Sequence, residues 1–541
     1  MGEWTIGGVV DAIAEAVPDR LMTVCGDRRS TYAETADRTR RLANFLSANG
    51  IGAHHERGVL DGWQCGQDRV ALIMHNDLYP DMVIGALKAR AVPVNVNFHY
   101  TPREVDELLA YLRPQAVIFH RSLGAKFADV LPRDGVEVMI SIDDGSDAPE
   151  PNGAVTLDDA LAAGAVDRPI TPSPDDVMMI CTGGTTGRPK GVMWRQSDTY
   201  VVSMNGADHD AVDEIHAKVA HAGPPWFAVS PLMHAAGMWT AFAALLNGQT
   251  VILYDKPTLD PAAVLATAER ERVGLMTMVG DAYAGPLIAE MRRHPYDLSS
   301  LFAIGTGGAA TNQRHQDALL ELLPHITLIN GYGSSETGNM AFGRSQRDDR
   351  KDTFERRDGV VVLSEDRNRF LEPGDPEIGW VAREGRIPLG YFDDAEATGR
   401  TFPVVEGRRV VISGDRASLE ADGTIRLYGR DALVVNTGGE KVFVEEVEEV
   451  LRAHGGVADA LVIGRDSDRW GQEIVALIER HPGADVDADA LLQACTAVLA
   501  RFKAPKEFVF VDKVRRLGNG KADYRWAKDL VAQPNTLAGQ P

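Results

Sequence analysis

Short apolar runs of β type alternate with helix-type patterns along most of this 541-residue chain. In the first part, residues 81–90 are predicted to form a helix. A second helix is predicted to begin at Thr101, whose hydroxyl can cap it, with Pro102 in the first turn. The strands predicted around these helices are residues 69–74, 92–96, 115–120 and 136–142. Because such alternation needs crossover connections, we expect an α/β fold with largely parallel sheets covered by helices.

The same alternation resumes after residue 190 and restarts on a smaller scale after residue 430. Predicted helices lie at residues 238–246, 262–272, 313–323, 442–451 and 489–499. Predicted strands lie at residues 226–229, 250–254, 275–279, 301–305, 327–329, 459–464, 473–479 and 507–511. The chain is too long for one compact core. We therefore expect a large N-terminal domain of stacked α/β sheets with a β-rich subdomain, residues 1–430, and a small mobile C-terminal α+β domain, residues 431–541.

Composition narrows the functional classes. A formal net charge of −22 argues against non-specific nucleic-acid binding. Four scattered cysteines fit a reducing cytosol better than a disulfide framework or a zinc site. The most apolar stretch, residues 235–246, is too short to span a bilayer, and the N-terminus lacks the pattern of a signal peptide. We expect a cytoplasmic protein without a transmembrane segment, and the sequence leaves its oligomeric state open, with a homodimer as one outcome.

The segment from Thr182 to Gly191 has the composition of a phosphate-binding loop after a strand. Its glycines let backbone N–H groups point inward, and its threonines and Lys190 add further donors. The spacing is not that of a Walker loop, because Pro189 precedes the lysine and a glycine follows it. A Gly/Thr-rich surface turn is the structural alternative.

A second segment, from Gly331 to Gly338, follows a predicted strand. The ring of Tyr332 lies between glycines and can stack on a base. The hydroxyl of Ser335 and the carboxylate of Glu336 can hold a phosphate oxygen and its Mg²⁺. The alternative is a glycine-rich turn with a surface glutamate.

Both segments resemble the signatures of the adenylate-forming superfamily, which includes acyl-CoA synthetases, peptide-synthetase adenylation domains and firefly-type luciferases. The matching motifs run from residue 182 to residue 521 in the family's order. The resemblance implies that ATP and AMP are bound by Thr182, Gly183, Gly184, Thr185, Thr186, Gly187, Lys190, Gly308, Ala309, Asn330, Gly331, Tyr332, Gly333, Ser335, Asp415 and Arg430. Within this set it implies that Tyr332 stacks on adenine, that Asp415 and Arg430 hold the ribose, and that Thr182 and Glu336 ligate Mg²⁺.

The resemblance also implies roles outside the nucleotide pocket. His234 is expected to gate and orient the acyl group and not to act as a general base, since a carboxylate is already ionised at neutral pH. Lys521 is expected to bridge the carboxylate and the phosphate during adenylation, because its ammonium can enter and leave the site with its domain. The residues implied for the CoA thiol channel and the hinge are Asp431, Ala432, Gly438, Gly439 and Lys441. Ala432 departs from the family's pattern, so either of the first two can absorb the rotation.

The implied reaction joins a carboxylic acid to CoA at the expense of ATP, through an acyl-adenylate. Residues 519–525 and Cys181 with the loop after it look most like actinobacterial ligases for steroid side-chain or other bulky acids. The alternatives are an adenylating enzyme that loads a carrier protein, a medium- or long-chain fatty acyl-CoA synthetase, and a nucleotide-binding regulator without turnover. Residues 54–67 are predicted as a surface loop and not a metal site. Candidates for the acyl pocket are Met204, Trp226, Met233, Trp239 and Met278.

Overall fold

The computed structural model describes residues 2–131, 133–183, 189–308, 311, 313–347, 349, 353–430, 434–515 and 523–532. In its first half the elements are α1 (Ile6–Ala16), β1 (Leu21–Cys25), β2 (Arg28–Thr31), α2 (Tyr32–Ala48), β3 (Arg69–Ile73), α3 (Tyr79–Lys88), β4 (Val92–Asn95), α4 (Pro102–Leu112), β5 (Ala116–His120), α5 (Arg121–Lys126), β6 (Val138–Ile142), β7 (Val155–Thr156), α6 (Leu157–Ala163), β8 (Val177–Gly183), β9 (Pro189–Arg195), α7 (Gln196–Ser203), α8 (Val212–Val219), β10 (Trp226–Ala228), α9 (Ala235–Leu245) and β11 (Val251–Leu253).

The second half continues with α10 (Pro261–Arg270), β12 (Leu275–Met278), α11 (Gly280–Arg293), β13 (Ala303–Thr306), α12 (Gln313–Leu322), β14 (Thr327–Ser334), β15 (Gly338–Ser345), β16 (Glu355–Arg356), β17 (Val360–Leu363), β18 (Gly379–Glu384), β19 (Gly390–Tyr391), α13 (Ala395–Thr401), β20 (Val404–Val405), β21 (Arg408–Leu419), β22 (Ile425–Arg430), β23 (Val434–Thr437), β24 (Glu440–Phe443), α14 (Val444–Arg452), β25 (Val457–Ser467), β26 (Gly471–Arg480), α15 (Ala488–Val498), β27 (Glu507–Val511) and α16 (Tyr524–Ala532). Two short 3₁₀ turns lie at Arg57–Val59 and Arg501–Lys503.

Two large sheets form the N-terminal part of the fold. Within the described residues the first has eight strands in the order β19-β9-β8-β4-β3-β5-β6-β7, and its members from β8 to β7 run parallel. The second, counted over the same residues, has nine strands in the order β16-β15-β14-β13-β12-β10-β11-β1-β2, parallel from β14 to β1. The expectation of largely parallel sheets covered by helices is therefore confirmed, with antiparallel strands at the edges.

Two smaller, mostly antiparallel sheets follow. In the described part of the chain β17, β18, β21, β20 and β22 form the first, which is the expected β-rich unit. The second comprises β23 to β27, with α14 and α15 packed on it. Strand β22 ends at Arg430 in one sheet, and β23 begins at Val434 in the other. The predicted domain boundary falls between these two strands and stays a prediction.

Helix α3 shows how sequence and packing combine in the core. All ten of its residues are buried, and the helix follows β3 and precedes β4 in the first sheet. Its two charged residues are paired, Asp81 with Arg38 and Lys88 with Asp11. A helix that is buried on every side needs such partners, because an unpaired buried charge is costly.

The two nucleotide motifs lie partly on strands, which corrects the prediction of loops after short strands. Strand β8 continues to Gly183 and pairs with β9, so Lys190 lies on a strand opposite Thr182. Strand β14 likewise continues through Gly331 and Tyr332 to Ser334 and pairs with β15. Apolar patterning alone ended both strands too early, because glycine has a low strand propensity and the remaining extensions carry few apolar residues.

Among the described residues, no helix combines the length and the apolar character that a membrane crossing requires.

Candidate active site

A cavity of about 380 Å³ lies between the large sheets and residues of the C-terminal part. Strands β4, β8, β12, β13 and β14 contribute to its walls, and helix α9 contributes a further wall. Predicted site residues that line it are Thr182, His234, Gly308, Gly331, Tyr332, Gly333, Ser335, Gly439 and Lys441. Tertiary structure therefore brings together residues that the sequence separates by up to 259 positions, from 182 to 441.

Some predicted site residues do not line the cavity, and others fall outside the described residues. Asn330, Glu336, Lys190, Asp415 and Gly438 are described but do not line the cavity. Gly183 and Arg430 are described as the last residues of β8 and β22. The predictions for Gly184, Thr185, Thr186, Gly187, Ala309, Asp431, Ala432 and Lys521 fall outside the described residues.

The residues predicted for adenine and ribose lie close together. The Tyr332 hydroxyl donates a hydrogen bond to Asp415 Oδ2 at 2.6 Å and lies 3.1 Å from Ser413 Oγ. Asp415 is the strand partner of Arg430 across β21 and β22. Asn330, on β14 beside Tyr332, pairs with Thr306 of β13. This grouping can present an aromatic ring and a carboxylate to one nucleoside.

The residues predicted for phosphate and metal form a neighbouring group. The Tyr391 hydroxyl donates to Glu336 Oε1 at 3.2 Å, and the ring of Tyr391 lies 5.2 Å from Lys190 Nζ. Lys190 Nζ is also paired with Asp394 at 3.0 Å. Thr182 is opposite Lys190 in the β8–β9 ladder. Tyr391 therefore links the lysine of the first motif to the glutamate of the second.

The donor set suits Mg²⁺ bound together with a nucleotide. Glu336 and Thr182 supply hard oxygen ligands, and Mg²⁺ commonly takes one or two protein oxygens plus substrate phosphates and water. No group of three or more His, Cys, Asp or Glu side chains that could hold a metal alone occurs in the residues described. The residues present therefore fit a nucleotide-dependent Mg²⁺ site better than a permanent metal centre.

An apolar wall continues from the nucleotide residues. Trp226, Trp239 and Met278 line the cavity, whereas Met204 and Met233 are buried in the core and do not reach it. His234 is the N-cap residue of α9 and lies at the edge of this wall. Three of the five candidate pocket residues are thus placed on the cavity.

Helix α9 also positions His234 against the C-terminal part of the chain. His234 Nε2 lies 3.0 Å from Glu440 Oε1, and Asn97 donates to Glu440 Oε2 at 3.1 Å. Burial alone would lower the pKa of His234, but the Glu440 carboxylate raises it above its ordinary value. Burial alone would raise the pKa of Glu440, but His234 lowers it. The pair therefore favours the charged imidazolium and carboxylate.

The loop before Glu440 approaches the cavity closely. Gly438 and Gly439 have φ values of 60° and 87°, which glycine adopts more readily than other residues. A Cβ at Gly439 would lie 2.3 Å from Val279 Cγ1, too close for any side chain. Lys441 follows on β24 and lines the cavity. This loop therefore packs directly against the cavity wall.

Comparison with known proteins identifies the family. The sequence model of the AMP-binding enzyme family matches residues 10–376, and that of the AMP-binding enzyme C-terminal domain matches residues 446–521. The chain belongs to the AMP-binding enzyme family. Since the first match covers more than half of the chain, this assignment does not depend on the site geometry.

Relatives of this AMP-binding enzyme match over nearly the whole chain. The medium-chain acyl-CoA ligase Mig of Mycobacterium avium is 41% identical over 97% of this chain and 98% of its own length. A medium/long-chain-fatty-acid and 3-oxocholest-4-en-26-oate CoA ligase of Mycobacterium tuberculosis is 36% identical over 97% and 95%. The 3-oxocholest-4-en-26-oate CoA ligase of Rhodococcus rhodochrous is 34% identical over 97% and 95%.

A solved structure supports the fold of this AMP-binding enzyme. The amide bond synthetase McbA from Marinactinospora thermotolerans superimposes with a TM-score of 0.77 at 22% identity, covering 96% of this chain and 99% of that one. At this identity the likeness shows the fold alone.

Sequence reasoning missed several residues of this family member's site. Glu440 holds His234, Tyr391 links Lys190 to Glu336, and Lys503 joins the N-terminal and C-terminal parts. The position of Glu440 between Gly439 and Lys441, inside a predicted channel segment, was a signal for its role. Tyr391 and Lys503 had no local signal, because their partners lie far away in sequence.

Proposed function

We propose that this AMP-binding enzyme is an ATP-dependent acyl-CoA ligase that converts a carboxylic acid, ATP and CoA to acyl-CoA, AMP and pyrophosphate. The observation that carries the proposal is one cavity that joins the Tyr332 and Ser335 motif to the apolar wall of Trp226 and Trp239 and to Lys441. This chain matches at least 95% of the length of each of the CoA-ligase relatives named above.

In the first half-reaction the substrate carboxylate attacks the α-phosphorus of ATP, the bond to the β-phosphate oxygen breaks, and pyrophosphate leaves. Negative charge builds on the phosphoryl oxygens, which the Ser335 hydroxyl and the Lys521 ammonium are proposed to offset. Bound Mg²⁺, held by Glu336 and Thr182, would supply further electrostatic stabilisation. The attack needs no general base, because the acid is ionised at neutral pH.

In the second half-reaction the CoA sulfur bonds to the acyl carbon, the bond to the AMP oxygen breaks, and the thiol proton leaves to solvent. Gly438, Gly439 and Lys441 are proposed to form the entry for the thiol, with the hinge at Asp431 or Ala432. In this proposal the small domain takes one orientation for adenylation and another for thioester formation, and both act on the same acyl-adenylate.

The proposed substrate is a bulky lipid acid, either a steroid side-chain acid or a medium- to long-chain fatty acid. The names of the relatives and the apolar wall around Trp226 and Trp239 support this class. ATP, Mg²⁺ and CoA are the proposed cofactor and co-substrates. A cytoplasmic location belongs to the same proposal, and the homodimer stays a prediction.

The test is acyl-CoA formation over a panel of fatty, aromatic and steroidal acids with ATP, Mg²⁺ and CoA. We expect acid-dependent pyrophosphate exchange, followed by CoA-dependent release of AMP. If acyl-AMP forms but only a carrier protein accepts the acyl group, the carrier-loading alternative replaces this proposal. ATP binding without turnover across the panel would favour the regulator.

Replacing Lys521 separates the two half-reactions. In Lys521→Ala we expect pyrophosphate exchange to fall by about 100-fold, because a charged donor to the reacting oxygens is lost at a preorganised site. Conversion of supplied acyl-AMP to acyl-CoA should fall far less. Lys513→Ala is the matched control, since Lys513 is an exposed lysine eight positions earlier in the chain. Equal losses in both half-reactions would contradict the assigned role.

A further inference from the structure

Two arginines lie on the cavity wall at the edge of the nine-stranded sheet. Arg344 is on β15, and Arg357 directly follows β16. Both line the cavity, and neither belongs to a nucleotide motif. Phe342 also lines the cavity, and its ring centroid is 5.8 Å from the Arg357 guanidinium carbon.

Strand register places this edge away from the reacting end of the acid. Arg344 is opposite Ile329, and Phe342 is opposite Gly331, so the two side chains share the cavity face of the sheet. Ile329 precedes Ser334, the neighbour of the proposed phosphate residue Ser335, by five residues on β14, which corresponds to about 17 Å along the strand. His234, which marks the acyl entrance, lies on α9 and contacts Glu440.

Neither of these arginines has an ion-pair partner in the described part of the chain. Among the residues that the structure describes, neither guanidinium forms an ion pair within 4 Å or a side-chain hydrogen bond. The neighbouring Arg356, in contrast, donates to the backbone oxygens of Gly423 and Val360. Arg344 is exposed, whereas Arg357 is half-buried. Burial lowers the pKa of Arg357, although Asp358 offsets part of the effect.

The half-buried guanidinium of Arg357 costs free energy without a partner, and this cost is recovered when an oxygen acceptor binds, with the exposed Arg344 as a second donor on the same wall. Guanidinium is well suited to that role, because its fork of N–H donors matches the two oxygens of a carboxylate. A purely hydrocarbon tail would leave both donors exposed to the cavity. The wall therefore suits a substrate that is polar at its far end.

We propose that Arg344 and Arg357 bind an oxygen acceptor at the distal end of the acyl substrate, either a second carboxylate or a ketone oxygen. The inference rests on the proposed acyl-CoA ligase function, which defines the reacting end. It extends that function to a substrate class, namely lipid acids with an oxygenated far end.

The test compares a plain fatty acid, its α,ω-dicarboxylic acid and its (ω−1)-oxo acid, which carries a ketone. The three acids have equal chain length, and the comparison is repeated over a series of chain lengths. In Arg344→Gln and Arg357→Gln we expect the ratio of kcat/KM for the oxygenated acid to that for the plain acid to fall by about 10- to 100-fold, the range of one charge-assisted hydrogen bond. Arg347→Gln is the control, since Arg347 is exposed and does not line the cavity.

The two oxygenated acids distinguish the sources of the acceptor. A fall for the dicarboxylic acid alone assigns the site to a carboxylate, and a fall for both assigns it to any oxygen acceptor. A ratio equal to that of the Arg347→Gln control for both acids overturns the inference while the ligase function stands.

Calorimetric binding of the same acids gives a readout that does not need turnover. We expect the unmodified enzyme to bind the oxygenated acids more tightly than either variant does. The ratio of the dissociation constants should be similar to the fall expected in the kcat/KM ratio. Equal affinities would overturn the inference even if no acid were activated, and failure of every acid in the turnover assay would reject the ligase function separately.

Discussion

At the scale of single residues, the contact between His234 and Glu440 connects the apolar wall of the cavity to the C-terminal part of the chain. The two side chains approach to 3.0 Å and raise and lower each other's pKa in the directions that favour an ion pair. Asn97 holds the second carboxylate oxygen, so the geometry of Glu440 is fixed from two sides. The histidine that we propose to orient the acyl group is thus itself held by Glu440.

Replacing Glu440 with glutamine should weaken the contact between His234 and the loop that carries residue 440. We expect the thioester-forming half-reaction to slow by roughly 10-fold, because a hydrogen bond to a charged group is lost. Pyrophosphate exchange should change much less, since we assign it to the other proposed orientation of the domain. The measurement is CoA-dependent AMP release beside pyrophosphate exchange, with Glu449→Gln, an exposed glutamate of α14, as control. A variant that lost both activities equally would show a merely structural role.

The same pair predicts a pH dependence. Because the pKa of His234 is raised, the imidazolium persists to higher pH, and its contribution is lost as pH rises through that raised value. Because the pKa of Glu440 is lowered, its contribution is lost as pH falls through that lowered value. We expect an alkaline decline in the thioester step that Glu440→Gln shifts to lower pH. A pH profile identical in both proteins would argue against the pair.

At the scale of elements, helix α4 links local capping to domain contact. Thr101 accepts a hydrogen bond from the Glu104 backbone N–H, and Glu104 Oε2 accepts from the Thr101 backbone, which completes a capping box. The other carboxylate oxygen of Glu104 lies 3.0 Å from Lys503 Nζ. The sequence predicted the cap at Thr101 and Pro102, but not the second use of the glutamate.

Thr101→Ala should destabilise the first turn of α4 by about 1 kcal/mol, because a backbone N–H loses its cap. The measurement is amide hydrogen exchange in that turn. Thr156→Ala is the matched control, because Thr156 caps α6 by the same type of bond to the Asp159 backbone. We expect both variants to exchange faster locally, but only Thr101→Ala to loosen the contact with Lys503. If the two variants affect the thioester step equally, α4 has no special part in docking.

At the scale of the whole molecule, one buried lysine joins the N-terminal and C-terminal parts. Lys503 Nζ lies 3.0 Å from Glu104 Oε1 and 2.9 Å from Glu446 Oε2, and all three side chains are mostly buried. Burial disfavours the ammonium, but Tyr100 and the two carboxylates raise the pKa of Lys503 above its ordinary value. The lysine therefore stays charged and holds this docked arrangement.

Lys503→Met should release the docked arrangement. Two buried carboxylates would then lack their cation, a loss of about 3 kcal/mol. We expect solution scattering to show a more extended particle and the thioester step to slow, with pyrophosphate exchange retained. Lys506→Met, an exposed lysine three residues later, controls for the loss of charge. An unchanged scattering profile together with unchanged rates would reject the role of this lysine in docking.

Local sequence patterns determined much of this protein. Glycine spacing, the alternation of strand and helix and the cap at Thr101 each depend on neighbouring residues, so the α/β class, the two nucleotide motifs and most elements could be predicted. The strand ends at Gly183 and Ser334 could not be predicted, because pairing with β9 and β15 extends these strands through glycine-rich segments with few apolar residues.

Only the tertiary structure decided which distant residues meet. Sheet register placed Arg344 on the cavity wall, and docking brought Glu440 to His234 and Lys503 to Glu104. No periodicity encodes such contacts, because each depends on how whole sheets and domains are set against one another. The sequence therefore specified the chemistry that this chain carries, and the packing of its sheets specified where that chemistry is brought together.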